Sequence, residues 1–152
     1  MRTGLLIVTA LLVAASAASA ATPADGRFEG PTSQRTKPPT AGFDIAREGR
    51  VIRAIRFPSV ARCAGKAKLR ITTLVLKPVK LVVGPRIELR GSLGGSLAKG
   101  STYRARFRMN GRFPTTDSAR GEWGLRAVVR NRGGQITARC RTGSVSWRAT
   151  RL

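Results

Sequence analysis

Few residues of this chain have the side chains that catalysis requires. The 152 residues contain seven carboxylates, two cysteines and no histidine, so the commonest general base and the usual zinc ligand are missing. Asp117 and Glu122 lie close together in the sequence, and such a pair could serve as the two carboxylates of a glycoside hydrolase. In a simpler interpretation, the two carboxylates only offset the positive charge of their neighbours Arg112 and Arg120. We therefore expect no enzyme activity, no cofactor and no metal site, with a glycan-active enzyme using Asp117 and Glu122 as an alternative.

The first twenty residues have the organisation of a secretory signal peptide. Arg2 precedes an apolar run, and the small residues Ala18-Ser19-Ala20 form an A-x-A cleavage site.

Residues 21–41 are rich in proline, threonine and glycine, which predicts a flexible leader with room for a short first strand near Phe28. Residues 42–152 are enough for a single domain. We expect a protein that is secreted or associated with the outside of the cell envelope, with no transmembrane segment after signal removal.

The two cysteines, Cys63 and Cys140, form an even pair, which in an exported protein is typical of a disulfide. Redox chemistry would favour C-x-x-C spacing and zinc binding would favour histidine, and the sequence has neither. Cys140 is in phase with Ile136 and Ala138, so its sulfur should point into the core. The bond is expected to tie an early strand to the penultimate one across the interior.

Arginines alternate with apolar residues in the stretch from Tyr103 to Met109, whose sequence is YRARFRM. Three later stretches show the same alternation, and if all four pair as consecutive hairpins their polar sides share one face. Like charges that lie opposite one another repel, so a bound polyanion would relieve this repulsion. A solvated face is the other interpretation, since an arginine stem covers apolar surface while its head stays in water. The arginines concerned are Arg104, Arg106, Arg108, Arg126, Arg130, Arg139, Arg141 and Arg148.

The overall charge also favours an anionic partner. The chain has 29 Lys and Arg against 7 Asp and Glu, and removal of Arg2 with the signal lowers the net charge from +22 to +21. A field of this sign attracts polymers rich in phosphate or carboxylate, and salt weakens the attraction. Specific nucleic-acid recognition is disfavoured, because every aromatic residue falls in the buried phase of its stretch and none is left for base stacking.

Alternation with period two dominates the chain after Gly42, and no stretch has a convincing helical period. Turn residues separate the alternating stretches. Among them, Asn110-Gly111 predicts a hairpin turn and the glycine-rich residues 91–100 predict a mobile loop. The pattern predicts an all-β fold, namely an antiparallel β-sandwich of about eight or nine strands, jelly-roll or immunoglobulin-like in outline, with a closed β-barrel as the alternative.

Several short motifs occur in a fixed order along the mature chain. They are G-R-F-E-G-P-T at 26–32, N-G-R-F-P at 110–114, A-R-G-E-W at 119–123 and C-R-T-G-S-V-S-W-R-A at 140–149. In these motifs the chain resembles small secreted β-domain proteins of actinobacteria, which have a G-x-Y-x-G-x-T opening, one cysteine pair and a closing C-x-x-G-x-x-x-W-x-A. Phe28 stands where tyrosine is frequent in that group. The resemblance implies a sandwich held by the disulfide, and it implies no activity.

These observations lead to one functional hypothesis with two alternatives. We expect a non-enzymatic exported β-sandwich module that binds anionic cell-wall polymer or extracellular polysaccharide through its arginine-rich sheet face. The first alternative is the glycan-active enzyme described above. The second is a secreted protein inhibitor that presents an exposed loop at 91–101 or 111–121.

Overall fold

The computed structural model describes residues 21–35, 40–65, 67–75, 79–80 and 86–152. These residues form ten β-strands and one short 3₁₀ helix, Ala98–Gly100. The expected signal peptide, residues 1–20, lies outside the described residues. The strands are β1 (Gly26–Pro31), β2 (Thr40–Ala46), β3 (Val51–Cys63), β4 (Lys68–Val75), β5 (Val79–Lys80), β6 (Arg86–Ser96), β7 (Thr102–Thr115), β8 (Ser118–Arg130), β9 (Ile136–Arg141) and β10 (Val145–Arg151).

The described strands all belong to a single antiparallel sheet, which folds over into a sandwich-like arrangement. Its order is β10-β1-β2-β3-β9-β8-β7-β6, and β4 and β5 pair with β3. The sheet folds over because the first half of β8 pairs with β10 and its second half with β9. From there β10 continues to β1 and β9 continues to β3, so the inner faces surround one core. The all-β antiparallel fold predicted from the alternation is confirmed, with ten described strands in place of eight or nine.

The core lies on the inner face of this sheet, where the apolar positions of the strands meet. Trp123 stacks on Phe57 and on Phe107, with ring centroids 4.4 Å and 5.0 Å away. A second aromatic group surrounds Phe43, on which Phe28 stacks at 5.3 Å. Aromatic pairs of this kind stabilise a core by about 1 kcal/mol each beyond the area they bury. The period-two pattern therefore identifies the buried side of each of these strands.

Strand β3 departs from strict alternation at Ala54. Ile52 and Ile55 are both buried although they are three positions apart, a spacing that would place them on opposite faces of a regular strand. The pairing with β2 gains one residue on the β3 side at this point, and Ala54 has a left-handed φ of 52°. These are the features of a β-bulge, which turns the following residues back towards the core. The bulge explains why Arg53 interrupts the apolar pattern.

Cys63 and Cys140 form a disulfide, as the sequence predicts. They lie directly opposite each other on β3 and β9, with their Cα atoms 3.9 Å apart. The bond therefore links an early strand to the penultimate strand, but it joins neighbouring strands and does not cross the interior. The pairing of β3 with β9 is otherwise short, since it includes only one further pair, Arg62 with Arg141.

The segment 21–41, predicted from its composition to be a flexible leader, contributes β1 and the first residues of β2 to the sheet. Strand β1 pairs with β2 on one side and with β10 on the other. Phe28 is fully buried. Order therefore begins well before Gly42, because the one large apolar side chain of this segment has its place in the core. The short first strand near Phe28 is confirmed.

The dipeptide Asn110-Gly111 does not form the hairpin turn that it predicts. It lies within β7, and the turn between β7 and β8 is at Thr116 and Asp117. Glycine at position 111 has a packing role instead, since a Cβ atom there would lie 2.6 Å from Cζ2 of Trp147. The same hairpin contains residues 111–121, so this part of the chain is mainly strand with a two-residue turn at Thr116 and Asp117.

The glycine-rich residues 91–100 likewise belong mainly to a strand. Strand β6 extends to Ser96, and the short turn that follows is closed by a hydrogen bond from the Leu97 amide to the Ser101 carbonyl. Gly91 lies directly opposite Phe107, and a Cβ atom on Gly91 would lie 2.5 Å from the Phe107 ring. Glycine here makes room for an aromatic ring on the next strand. The expected mobile loop at 91–100 is therefore wrong.

Candidate functional site

Five cationic side chains form a continuous row on the outer face of the sheet. Each lies directly opposite the next on the neighbouring strand, and all five are exposed. Because neighbouring strands are about 4.8 Å apart, the row spans roughly 19 Å across the strands. We call it the central row. From β4 to β7 it consists of Lys68, Arg62, Arg141, Arg126 and Arg106.

The alternation of β7 directs its arginines outwards. Ala105, Phe107 and Met109 are buried in the core, so Arg106 and Arg108, which alternate with them, lie on the opposite face. The same reasoning applies to the other strands of the row, because each of their cations has a buried neighbour in the chain, namely Leu69, Ala61, Cys140 or Ala127. The rigid sheet thus holds the stems of the cations at fixed positions.

Arginines one step along the strands widen the central row. Arg104 and Arg108 lie two residues to either side of Arg106 on β7, and Arg139 lies two residues from Arg141 on β9. Residues two apart on a strand face the same side and are roughly 6.7 Å apart. All of them are exposed. The outer face is therefore strongly cationic along the strands as well as across them.

A second row of arginines crosses the other end of the same face. Six residues separate it from the central row on both β7 and β8, which corresponds to about 20 Å of extended chain. Between the rows, Glu122 on β8 and Glu88 on β6 are both directly opposite Asn110 on β7. From β10 to β6, this second row consists of Arg148, Arg120, Arg112 and Arg86.

Six of the eight arginines predicted to share a face surround or belong to the central row; they are Arg104, Arg106, Arg108, Arg126, Arg139 and Arg141. The other two are also exposed but lie away from the central row. Arg130 is at the end of β8, where its Nη1 donates a hydrogen bond to the Gly134 carbonyl at 2.7 Å. Arg148 belongs to the second row, because β10 pairs with β1 and with the first half of β8. The predicted order of consecutive hairpins is therefore wrong for β10.

Two members of the central row, Arg62 and Lys68, were not among the predicted residues. A signal for Arg62 exists in the sequence. If Cys63 and Cys140 are bonded between adjacent antiparallel strands, the residues beside them, Arg62 and Arg141, must also be opposite each other. Lys68 follows only once β3 and β4 are known to form a hairpin.

The central row has no acidic partner within 4.0 Å among the described residues. The ion pairs among the described residues join Glu29, Glu48, Glu88 and Asp117 to arginines outside the row. Asp25 accepts hydrogen bonds from the backbone amides of the β2–β3 turn. The positive charge of the row is therefore left to be balanced from solution.

Asp117 and Glu122 are poorly placed for carboxylate catalysis. Asp117 lies in the β7–β8 turn and pairs with Arg151, whose Nε is 2.5 Å from its Oδ1. Glu122 lies within β8 on the outer face, opposite Asn110 and Ser146. Five residues of mainly extended chain place their Cα atoms roughly 16 Å apart, whereas the carboxyl groups of glycoside hydrolases are within about 10 Å of each other.

The eight aromatic residues of the chain contribute no ring to the outer face. All the phenylalanines and tryptophans are buried in the core. Tyr103 is half-buried on the inner side, opposite Gly95. The outer face therefore offers positive charge and hydrogen-bond donors, but no ring on which a base or a sugar could stack.

Within the described ranges, no three histidine, cysteine or carboxylate side chains are grouped as metal ligands would be. In the same part of the chain, no helix has the length and apolar character needed to cross a bilayer. Comparison of the chain with protein-family models, with curated proteins and with solved structures found no match. Functional inference therefore depends on the chemistry of the outer face.

Proposed function

We propose that this chain is a non-enzymatic, exported β-sandwich module that binds an anionic polymer of the cell wall or an extracellular anionic polysaccharide. The observation that carries the proposal is the central row, in which cations from five adjoining strands lie directly opposite one another. A linear polymer with charged groups at regular intervals would lie across the strands, along this row. Each strand then contributes one contact to the same polymer chain.

Repulsion within the row favours the bound state. Two unit charges 5 Å apart repel by about 0.8 kcal/mol even with the dielectric constant of bulk water. The row contains three such arginine pairs in succession, formed by Arg62, Arg141, Arg126 and Arg106. Their flexible heads can turn apart, but only by restricting one another. An anionic chain placed between the heads replaces this repulsion with attraction.

The side chains of the row suit carboxylate, sulfate or phosphate groups. Four of the five are arginine, whose planar guanidinium can donate two parallel hydrogen bonds to such a group. Stacking on aromatic rings contributes nothing on this face, so binding should depend on charge and weaken as salt rises. Uronate polysaccharides and phosphate-containing wall polymers share this chemistry, and separate binding measurements distinguish them.

Export is supported by the disulfide between Cys63 and Cys140. Structural disulfides persist in oxidising compartments and are rare in the cytosol. The signal-like sequence of residues 1–20 points to the same destination. A binding module outside the cytoplasm would meet wall polymers and extracellular polysaccharides directly.

Equilibrium binding to three polymers tests the proposal. The probes are polygalacturonate, which carries carboxylates, poly(glycerol phosphate), and single-stranded DNA, each measured at several salt concentrations. We expect binding to at least one of the first two, with a Kd that rises steeply with salt. In a row variant with Arg106, Arg126 and Arg141 replaced by glutamine, Kd should rise at least tenfold, since each exposed ion pair contributes up to about 1 kcal/mol.

A charge-matched control variant replaces Arg35, Arg47 and Arg50 by glutamine. These three residues are exposed and lie in or next to turns, outside both rows. The control variant has the same net charge as the row variant, so it reports the effect of total charge alone. We expect its Kd to change less than threefold. Equal losses in the two variants, no binding to either wall-type polymer, or tighter binding to single-stranded DNA would each contradict the proposal.

A further inference from the structure

We infer that the second row is a separate site for the same class of polymer, so that one protein molecule bridges two polymer chains. The inference rests on the proposed function and extends it from binding to cross-linking. The second row repeats the geometry of the central row, because Arg148, Arg120, Arg112 and Arg86 lie directly opposite one another on four adjoining strands. All four are exposed, and none forms an ion pair within the described residues.

The two rows are far enough apart to act independently. About 20 Å of extended chain separates Arg106 from Arg112 on β7 and Arg126 from Arg120 on β8. Arg108, which widens the central row on β7, is still roughly 13 Å from Arg112. At physiological ionic strength, interactions between exposed charges are screened over about 8 Å. An anion bound at one row therefore does little to neutralise the other row. Each row keeps its own attraction for a polymer.

The surface between the rows opposes a single chain that would cover both. Glu122 and the ion pair between Glu88 and Arg90 lie on the surface between them, so a polyanion crossing from one row to the other would pass a carboxylate and a neutralised charge pair. Both rows also run across the strands and hence parallel to each other. A chain aligned with one row would have to turn back on itself to follow the second. Two separate chains meet neither obstacle.

The fold leads the far ends of the rows apart. From β8, the central row continues onto β9 and β3, whereas the second row continues onto β10. The division occurs at Leu125, whose amide donates a hydrogen bond to Oγ1 of Thr142 at 2.9 Å, in the connection between β9 and β10. Beyond this point the two rows lie on different parts of the folded sheet.

Two measurements on the same protein test the inference. The first is the stoichiometry of binding of a short oligogalacturonate that covers one row, measured by calorimetry and native mass spectrometry. We expect two oligomers per protein. The second is light scattering during titration of long polygalacturonate with protein. A bridging protein should give a scattering maximum at an intermediate ratio that disappears when polymer is in excess. If poly(glycerol phosphate) is the polymer that binds, its short and long forms replace the uronate probes.

A second-row variant separates the two sites. With Arg86, Arg112, Arg120 and Arg148 replaced by glutamine, the stoichiometry should fall from two to one and the scattering maximum at least tenfold. The Kd of the remaining site should stay within threefold of the unaltered central row. The row variant should give the reciprocal result, retaining one oligomer at the second row. The control variant should retain both sites and the scattering maximum.

The outcomes distinguish this inference from the proposed function. If the unaltered protein binds one oligomer and gives no scattering maximum, bridging is wrong while polymer binding stands. If the scattering maximum persists in the second-row variant, the bridging arises from another source, such as self-association, and the inference is again overturned. If the unaltered protein binds no polymer, the proposed function itself fails.

Discussion

Arg126 on β8 lies directly opposite Arg141 on β9, and each has a further arginine opposite it on its other side. The next position along β9 is Cys140, which faces the core and is bonded to Cys63. A shift of one residue between these strands would exchange the inner and outer faces. Between β8 and β9 this register is held by the buried pair Ala127 and Cys140, and between β3 and β9 the disulfide holds the register that places Arg62 opposite Arg141. Contacts on the inner face therefore bring like charges together on the outer face.

Removing one charge from the middle of the central row should stabilise the free protein. We expect Arg126→Gln to raise Tm by about 2–4 °C at low ionic strength, because it relieves the repulsion of Arg126 with two neighbouring arginines. The gain should shrink in 1 M salt, where charges are screened over about 3 Å. Thermal unfolding followed by circular dichroism at both salt concentrations measures the effect.

Arg27→Gln is the comparison variant, because its expected change in Tm has the opposite sign. Arg27 is an exposed arginine that forms an ion pair with Glu29, so its loss should lower Tm slightly at low salt. Both substitutions remove one positive charge, and only their surroundings differ. A lower Tm for Arg126→Gln at low salt would contradict repulsion in the row and would show that packing of the Arg126 stem dominates.

Loss of the disulfide should lower the free energy of unfolding by about 4 kcal/mol, because the bond closes a loop between residues 77 apart in the sequence. The double substitution Cys63→Ser with Cys140→Ser, or reduction of the native bond, produces this loss. Urea denaturation with and without reductant measures it. The substituted protein, which has no bond to reduce, is the control for effects of the reductant. An unchanged free energy of unfolding under strong reductant would show that the β3–β9 junction does not need the bond.

The face on which each arginine lies could be predicted from the sequence, whereas the partners of each strand could not. Alternation is local: a strand with Phe107 in the core must place Arg106 and Arg108 outside. Strand pairing is not local. The alternation of β8 does not reveal that the first half of this strand pairs with β10 and the second half with β9. For this reason the sequence predicts Arg148 next to the arginines of β9, whereas it lies opposite Arg120 in the second row. Arg62 was missed, although the disulfide contained the information that places it.

Glycine misled the prediction of turns because one residue type has two uses. It permits the backbone conformations of tight turns, and it also leaves space for a neighbouring group. Gly91 serves the second use, beside the ring of Phe107, and Gly111 does so beside Trp147. Which use applies depends on residues that are distant in the sequence. For this reason the glycines predict loops in two segments that are strands in the structure. The inhibitor alternative was based on these two expected loops.

Phe28→Ala should destabilise the protein by about 3–5 kcal/mol, as expected for truncation of a fully buried phenylalanine. The effect would show that the segment once expected to be a leader belongs to the core. Arg35→Ala, an exposed position shortly after β1, is the control and should change stability by less than 0.5 kcal/mol. Urea denaturation of the mature chain measures both. If Phe28→Ala were as stable as Arg35→Ala, β1 would not contribute to the cooperative unit.

Gly111→Ala should destabilise the protein by about 1–3 kcal/mol, the usual cost of overpacking. The added Cβ atom would lie 2.6 Å from Cζ2 of Trp147 and 2.8 Å from the carbonyl oxygen of Arg120. Trp147 is buried and cannot easily move away. Gly124→Ala, also within the β7–β8 hairpin, is the matched control, because its nearest neighbour would be the Gly143 oxygen at 3.6 Å. It should be neutral or slightly stabilising, since glycine weakens a strand. Equal stabilities of the two variants in urea denaturation would show that position 111 has the freedom of a turn.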